Sequence, residues 1–222
     1  PVSLPGAASH GNVRKGIVLS NGKWLFPVYW QEVRERWDWE QIPTSNVIHG
    51  YWPSCCGVLH GEEGGRYFRE TGYLTAPYVL MENTCAEAEP GHVIMLMRAQ
   101  GCEELYRSDS YDYGETWQEA YPCGIPSASS KILLLSRKGK ILLIHNARPE
   151  TEKMEGRKNL SIWVSEDGMN SWSTKYNLMA QDEAMFYPHA FLDEDRKAVY
   201  IACENSRQSY CLRVPFCELW KE

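Results

Sequence analysis

One octapeptide, Ser110-Tyr-Asp-Tyr-Gly-Glu-Thr-Trp117, constrains the fold of this chain more than any other stretch, because it recurs. It returns in looser form as Ser165-Glu-Asp-Gly-Met-Asn-Ser-Trp172. Each copy follows a strand-like run, Leu105-Tyr-Arg107 in one case and Leu160-Ser-Ile-Trp-Val164 in the other. The chemistry of such a turn is local. The Asp accepts backbone N–H bonds inside the turn, Gly supplies a positive φ, and Ser or Thr hydroxyls tie the ends. The closing Trp brings a ring large enough to fill the gap between neighbouring sheets. A turn stamped twice points to a repeated unit.

The rest of the chain repeats with it. Four segments begin at a tight turn and continue as a short apolar strand: NGKWLFPVYW from Asn21, PGHVIMLMRA from Pro90, KGKILLIHNA from Lys138 and DRKAVYIACE from Asp195. Each is preceded by another strand-like run, starting at Lys15, Met81, Lys131 and Tyr187. Every pair reads as a hairpin whose second strand is buried on both faces. Units of about 50 to 70 residues built from hairpins mean repeated sheets, as in propellers. The expected fold is all-β, a β-propeller of four-stranded antiparallel blades. One domain spans residues 1–222, with units at 1–75, 76–121, 122–177 and 178–222.

Composition narrows the function classes. The formal net charge is −6 with no basic run, which argues against a nucleic-acid partner. The longest apolar runs, such as Ile132-Leu-Leu-Leu135, are strand-sized, so no membrane span is expected. Nine Trp and 13 Tyr suit half-buried strands, and their ring faces also suit stacking on sugars. Eight cysteines show no CxxC or zinc spacing and read as buried thiols of a reduced protein, which favours a cytoplasmic location. Neither a metal nor another cofactor is expected.

The octapeptide matches every position of S-x-D-x-G-x-T-W, the Asp-box or BNR repeat of the sialidase superfamily. The second copy departs from it at Met169, where Gly is expected, and at Ser171. The whole chain resembles the bacterial sialidase-like branch of that family. It carries, in family order, Leu19-SNGKWLFPVY29, Glu82, Gly91-HVIMLMR98 and Tyr187-Pro188. The resemblance implies a six-bladed propeller. Only four units are legible here, which suggests a chain lacking the first two blades; a four-bladed ring is the other reading.

Sialidases hydrolyse the glycosidic bond of a sugar acid with a carboxylate at its anomeric carbon. Three arginines normally clamp that carboxylate, because guanidinium forks match it with bidentate, charge-assisted bonds. A Tyr hydroxyl, activated by a Glu base, replaces the usual carboxylate nucleophile. A separate Asp serves the leaving group. By resemblance, Glu82 corresponds to the base, Tyr187 to the nucleophile, and Arg98 and Arg157 to the second and third clamp arginines. Asn83, Lys131 and His189 are candidate substrate-binding neighbours, and His10, Lys15 and Trp30 hold similar positions around the first hairpin. The first clamp arginine and the acid Asp belong to early blades, and nothing here corresponds to them. Tyr-Pro-His also replaces the Tyr-Ser-Asp usual in enzymes of proven activity.

Plainer readings stand beside these. Glu82 fits an ion-paired strand-end acid, Arg157 a solvated loop, Tyr187 a core ring and His189 a structural histidine. Arg98 is harder to place so, because a charge in the apolar run Val93-Ile-Met-Leu-Met97 needs a ligand or a Glu partner. Three functions are therefore open: a sialidase-like hydrolase acting on sialic acid or another acidic sugar, a related propeller acting on other polysaccharides, and a non-catalytic module that binds glycan or protein. In each, carbohydrate is the expected ligand.

Overall fold

The computed structural model describes residues 11–31, 54–62, 67–147, 156–179 and 183–220; His10 lies outside them. Among these residues the strands form four antiparallel sheets arranged as the blades of a propeller. The first blade holds β1 (Asn12–Val13), β2 (Ile17–Val18), β3 (Trp24–Gln31), β4 (Ser54–Gly61) and β5 (Phe68–Leu74). Both β1 and β2 pair with β3, so together they make one interrupted inner strand. The second blade is β6 (Leu80–Glu89), β7 (His92–Ala99), β8 (Glu104–Ser110) and β9 (Tyr121–Pro126). The third is β10 (Leu133–Arg137), β11 (Lys140–Asn146), β12 (Leu160–Ser165) and β13 (Thr174–Asn177). The fourth has three strands, β14 (Phe186–Asp193), β15 (Ala198–Glu204) and β16 (Ser209–Pro215), followed by the short helix α1 (Phe216–Leu219).

All four hairpins legible in the sequence form as β2–β3, β6–β7, β10–β11 and β14–β15. Their unbroken apolar second strands have a simple cause. Side chains alternate between the two faces of a strand, and a blade inside the stack is covered on both. In β7, Val93, Met95 and Met97 pack toward the first blade against Leu25, Cys56 and Val58. Their neighbours Ile94 and Leu96 pack the other way, against Leu134, Ile141 and Leu143 of the third blade. β11 divides likewise, sending Leu142 and Ile144 toward Val199 and Ile201 of the fourth blade.

The fourth blade breaks the pattern. Its outward face is open to solvent, with Phe191, 54% exposed, stacked on Tyr200 at 5.4 Å between centroids. Cys211 and Cys217 are exposed on this blade and its trailing helix and Cys55, Cys102 and Cys123 are half-buried, so only Cys56, Cys85 and Cys203 are the buried thiols the sequence suggested.

The two Asp-box turns are inter-blade wedges. In the first, Asp112 accepts from the Thr116 backbone N–H at 2.8 Å and from the Thr116 hydroxyl at 2.6 Å, and Ser110 Oγ accepts from Gly114 N–H at 2.8 Å. His60 and Thr71 of the first blade both reach the Gly114 carbonyl, at 2.7 Å each. Gly114 has φ 84°, and a Cβ there would lie 2.6 Å from Leu25 Cδ1, so both backbone and packing favour glycine. The second turn repeats the device one blade on. Asp167 holds Ser171, and Arg107 of the second blade donates to the Gly168 carbonyl at 3.2 Å. Met169 takes the left-handed conformation, φ 70°, where the motif has Gly, and its side chain fills the seam between the second and third blades.

Candidate functional site

The inner strands begin with the same backbone anomaly. Glu82, Ser129 and Tyr187 all have positive φ, at 49°, 49° and 56°, although none is glycine. Register shifts lie at the first and last of these, between Met81 and Thr84 and between Phe186 and His189. A left-handed L-residue costs about 1–2 kcal/mol, and such strain collects where side chains must be aimed. A bulge at the strand start re-aims the side chain. In the second and fourth blades it presents Glu82 and Tyr187 at the inner end of the sheet, whereas Ser129 lies in the connection that leads into β10.

These residues are joined by two buried arginines. Arg98, 2% exposed at the end of β7, donates from Nη1 to Glu82 Oε2 at 2.8 Å and from Nη2 to Gln100 Oε1 at 2.6 Å. Its Nε and Nη2 also lie 3.4 and 3.3 Å from Ser129 Oγ. The apolar β7 thus has the Glu partner that a charge in its midst requires. Glu82 is shared with a second cation, Arg14, whose Nη2 is 3.0 Å from Oε1. Arg157 is 4% exposed, donates from Nη1 to the Tyr187 hydroxyl at 2.8 Å and from Nη2 to the Ser129 carbonyl at 3.2 Å. Its guanidinium also sits 5.0 Å from the Tyr187 ring centroid, within cation–π range.

Glu82 and Tyr187 make no hydrogen bond to each other. They are linked instead through Arg98, Ser129 and Arg157. Arg157 donates to the Tyr187 oxygen, which leaves the hydroxyl hydrogen available to another acceptor.

Beside this chain lies a cavity of about 190 Å³, walled by Arg14, Lys15, Glu82, Asn83, Lys131 and His189 among others. All four blades contribute. Lys15 Nζ donates to the Ala190 carbonyl and so ties the first blade to the fourth. Burial lowers the pKa of both Lys15 and Lys131, and the Arg14 charge lowers Lys131 further. His189 is lowered by burial and then by the two lysines. Asn83 is nearly inaccessible and anchored, its Nδ2 donating to the Gly57 carbonyl at 2.9 Å. Among the described residues no group of three or more His, Cys, Asp or Glu could hold a metal.

Of the residues singled out in the sequence, Glu82 joins Arg98, Arg157 joins Tyr187, and Asn83, Lys131 and His189 line the cavity with Glu82. Arg14, Ser129 and Gln100 were missed. Ser129 could have drawn notice only through the polar run Ser127-Ala-Ser-Ser130 that leads into the apolar β10. Arg14 and Gln100 carry no such signal; each lies in a short polar connection next to a hairpin.

Blades stacked through Asp-box wedges, with a polar site where their inner strands begin, define a propeller of the sialidase type. The BNR repeat-like domain profile matches residues 5–201, and the chain belongs to that family. It is similar to a sialidase of Bacteroides fragilis (strain YCH46), at 27% identity over 201 residues, covering 86% of this chain and 33% of the relative. Among solved structures, the Hadza microbial sialidase Hz136 superimposes with a TM-score of 0.69 at 16% identity, over 92% of this chain and 37% of that one. The NanB sialidase of Streptococcus pneumoniae gives 0.66 at 14%, over 95% and 32%. The chain therefore spans about a third of the length of the proteins it resembles.

Proposed function

We propose that this chain carries the nucleophile and part of the anion clamp of a sialidase-type glycoside hydrolase acting on a terminal sialic acid or a related acidic sugar. The observation that supports this best is the buried Arg157 guanidinium held on the Tyr187 hydroxyl at 2.8 Å. A fixed cation beside that oxygen favours charge developing on it, and a guanidinium fork is the group that suits a sugar carboxylate. In the reaction, the Tyr187 oxygen attacks the anomeric carbon as the glycosidic bond breaks, Glu82 serves as the base that takes up the tyrosine proton, and the leaving alcohol gains a proton from the separate acid. Water then cleaves the glycosyl–tyrosine bond. The acid toward the leaving group and the first clamp arginine would come from sequence outside this chain.

A non-catalytic glycan-binding role is the second reading. It is favoured by one specific feature: the Glu82 carboxylate is occupied by Arg14 and Arg98 rather than by Tyr187. The test is release of sugar from a sialoside by the protein in its longest natural form, compared with Tyr187→Phe. The hydrolase reading expects turnover to vanish in the variant while sialic acid binding persists. Equal turnover in both proteins removes Tyr187 as nucleophile, and binding without turnover in either supports the second reading.

A further inference from the structure

The cavity holds more positive charge than the clamp requires. Arg14 and Arg98 already share the Glu82 carboxylate, yet Lys15 and Lys131 face the same space. Among the described residues neither lysine has a carboxylate within ion-pair distance; Lys15 has only the Ala190 carbonyl, and Lys131 makes no hydrogen bond. Burying unpaired ammonium groups is unfavourable, as their lowered pKa values record. Both lysines line one cavity and both charges act on His189, so an anion beside His189 relieves all three.

The geometry also selects the kind of anion. Lys15 comes from the first blade, Lys131 from the third and His189 from the fourth, so three blades bring donors to one cavity. Ammonium groups are compact point charges, unlike the flat fork of Arg157 that suits a planar carboxylate. Compact donors supplied by three blades suit a tetrahedral oxyanion better than a planar one. A volume of about 190 Å³ accommodates one with room for the sugar carbon that bears it.

We infer that Lys15, Lys131 and His189 form a second anion subsite, and that the ligand carries a sulfate or phosphate ester in addition to its sugar carboxylate. The carboxylate part rests on the proposed function; the subsite stands on its own lining. The experiment is calorimetric titration of the protein with inorganic sulfate and, separately, inorganic phosphate at pH 7, for wild type, Lys131→Met and Lys131→Arg. Saturable binding of either ion at one site is expected, weakened at least tenfold by Lys131→Met and largely kept by Lys131→Arg; the ion that binds more tightly identifies the ester. Thermal melts confirm that each variant is folded. No saturable binding of either ion, or equal affinity in the folded Lys131→Met protein, overturns the subsite. Because no turnover is read, loss of the hydrolase reading through Tyr187→Phe leaves this result untouched.

Discussion

Glu82 and Tyr187 sit two blades apart, yet they share one left-handed backbone conformation, φ 49° and 56°, at the start of their inner strands. Ser129 repeats it in the blade between, and it binds both arginines: Arg98 through its hydroxyl and Arg157 through its carbonyl. A fold-level repeat thus places Glu82 and Tyr187 at matching register shifts of their inner strands, with Ser129 bridging them from the connection before β10. Site chemistry is written on the repeat rather than beside it.

Glu82→Gln tests the buried end of this chain. It leaves Arg98, 2% exposed, with neutral partners only. Stranding a buried charge is expected to cost about 3 kcal/mol. Urea denaturation of the variant should show a lower midpoint at unchanged slope, and a loss under about 1 kcal/mol would mean that Arg14, not Arg98, is the principal partner of the carboxylate.

The wedge role of the first Asp-box is tested at Gly72. This residue has φ 78°, and a Cβ there would lie 2.8 Å from Trp117 Cδ1. Gly72→Ala should lower stability by about 2 kcal/mol, combining the left-handed penalty with displacement of the ring. If melting is unchanged, Trp117 is not held by this seam.

Acid stability has an identifiable source in His145. The ring is fully buried against Trp163, 4.6 Å between centroids, and burial pushes its pKa down to about 3. The unfolded chain takes up this proton below the ordinary value of 6.5, whereas the folded one does not. Stability contributed by the neutral ring is therefore complete above pH 6.5 and is lost as pH falls toward 3, by up to about 1.4 kcal/mol per pH unit. His145→Phe keeps an edge-on aromatic contact and should flatten that limb of the stability–pH curve. An unchanged slope assigns the acid sensitivity elsewhere.

Arg157→Lys keeps the charge but removes the fork that reaches Tyr187 and Ser129 together. Binding of free sialic acid should weaken about tenfold to a hundredfold, from loss of roughly 1.5–3 kcal/mol of charge-assisted hydrogen bonding. Calorimetry at fixed salt reads this directly, and equal affinity would show that Arg157 is structural only.

Much of the fold was legible because its determinants are local. The Ser165–Trp172 turn could be recognised despite Met169, since Asp167 and Ser171 preserve the hydrogen bonds that define it. The continuous apolar run of β7 announced a strand covered on both faces. Glu82, Arg98, Arg157 and Tyr187 were found through family order. Their connection was not legible, because it runs through a backbone carbonyl of Ser129 and through Arg14 at a broken inner strand. Neither residue type nor spacing predicts such contacts. The open face of the fourth blade was equally hidden, since Phe191 and Tyr200 read as strand aromatics whether or not something covers them.

The most direct test of the central claim is covalent trapping. The protein in its longest natural form is incubated with 2,3-difluorosialic acid, and its digest is examined by mass spectrometry. A sialidase from Trypanosoma rangeli has been captured as a covalent intermediate with this compound. One adduct is expected, on the peptide containing Tyr187, absent from Tyr187→Phe. An unmodified Tyr187 in a protein that demonstrably binds sialic acid would contradict it and leave a binding propeller in place of an enzyme.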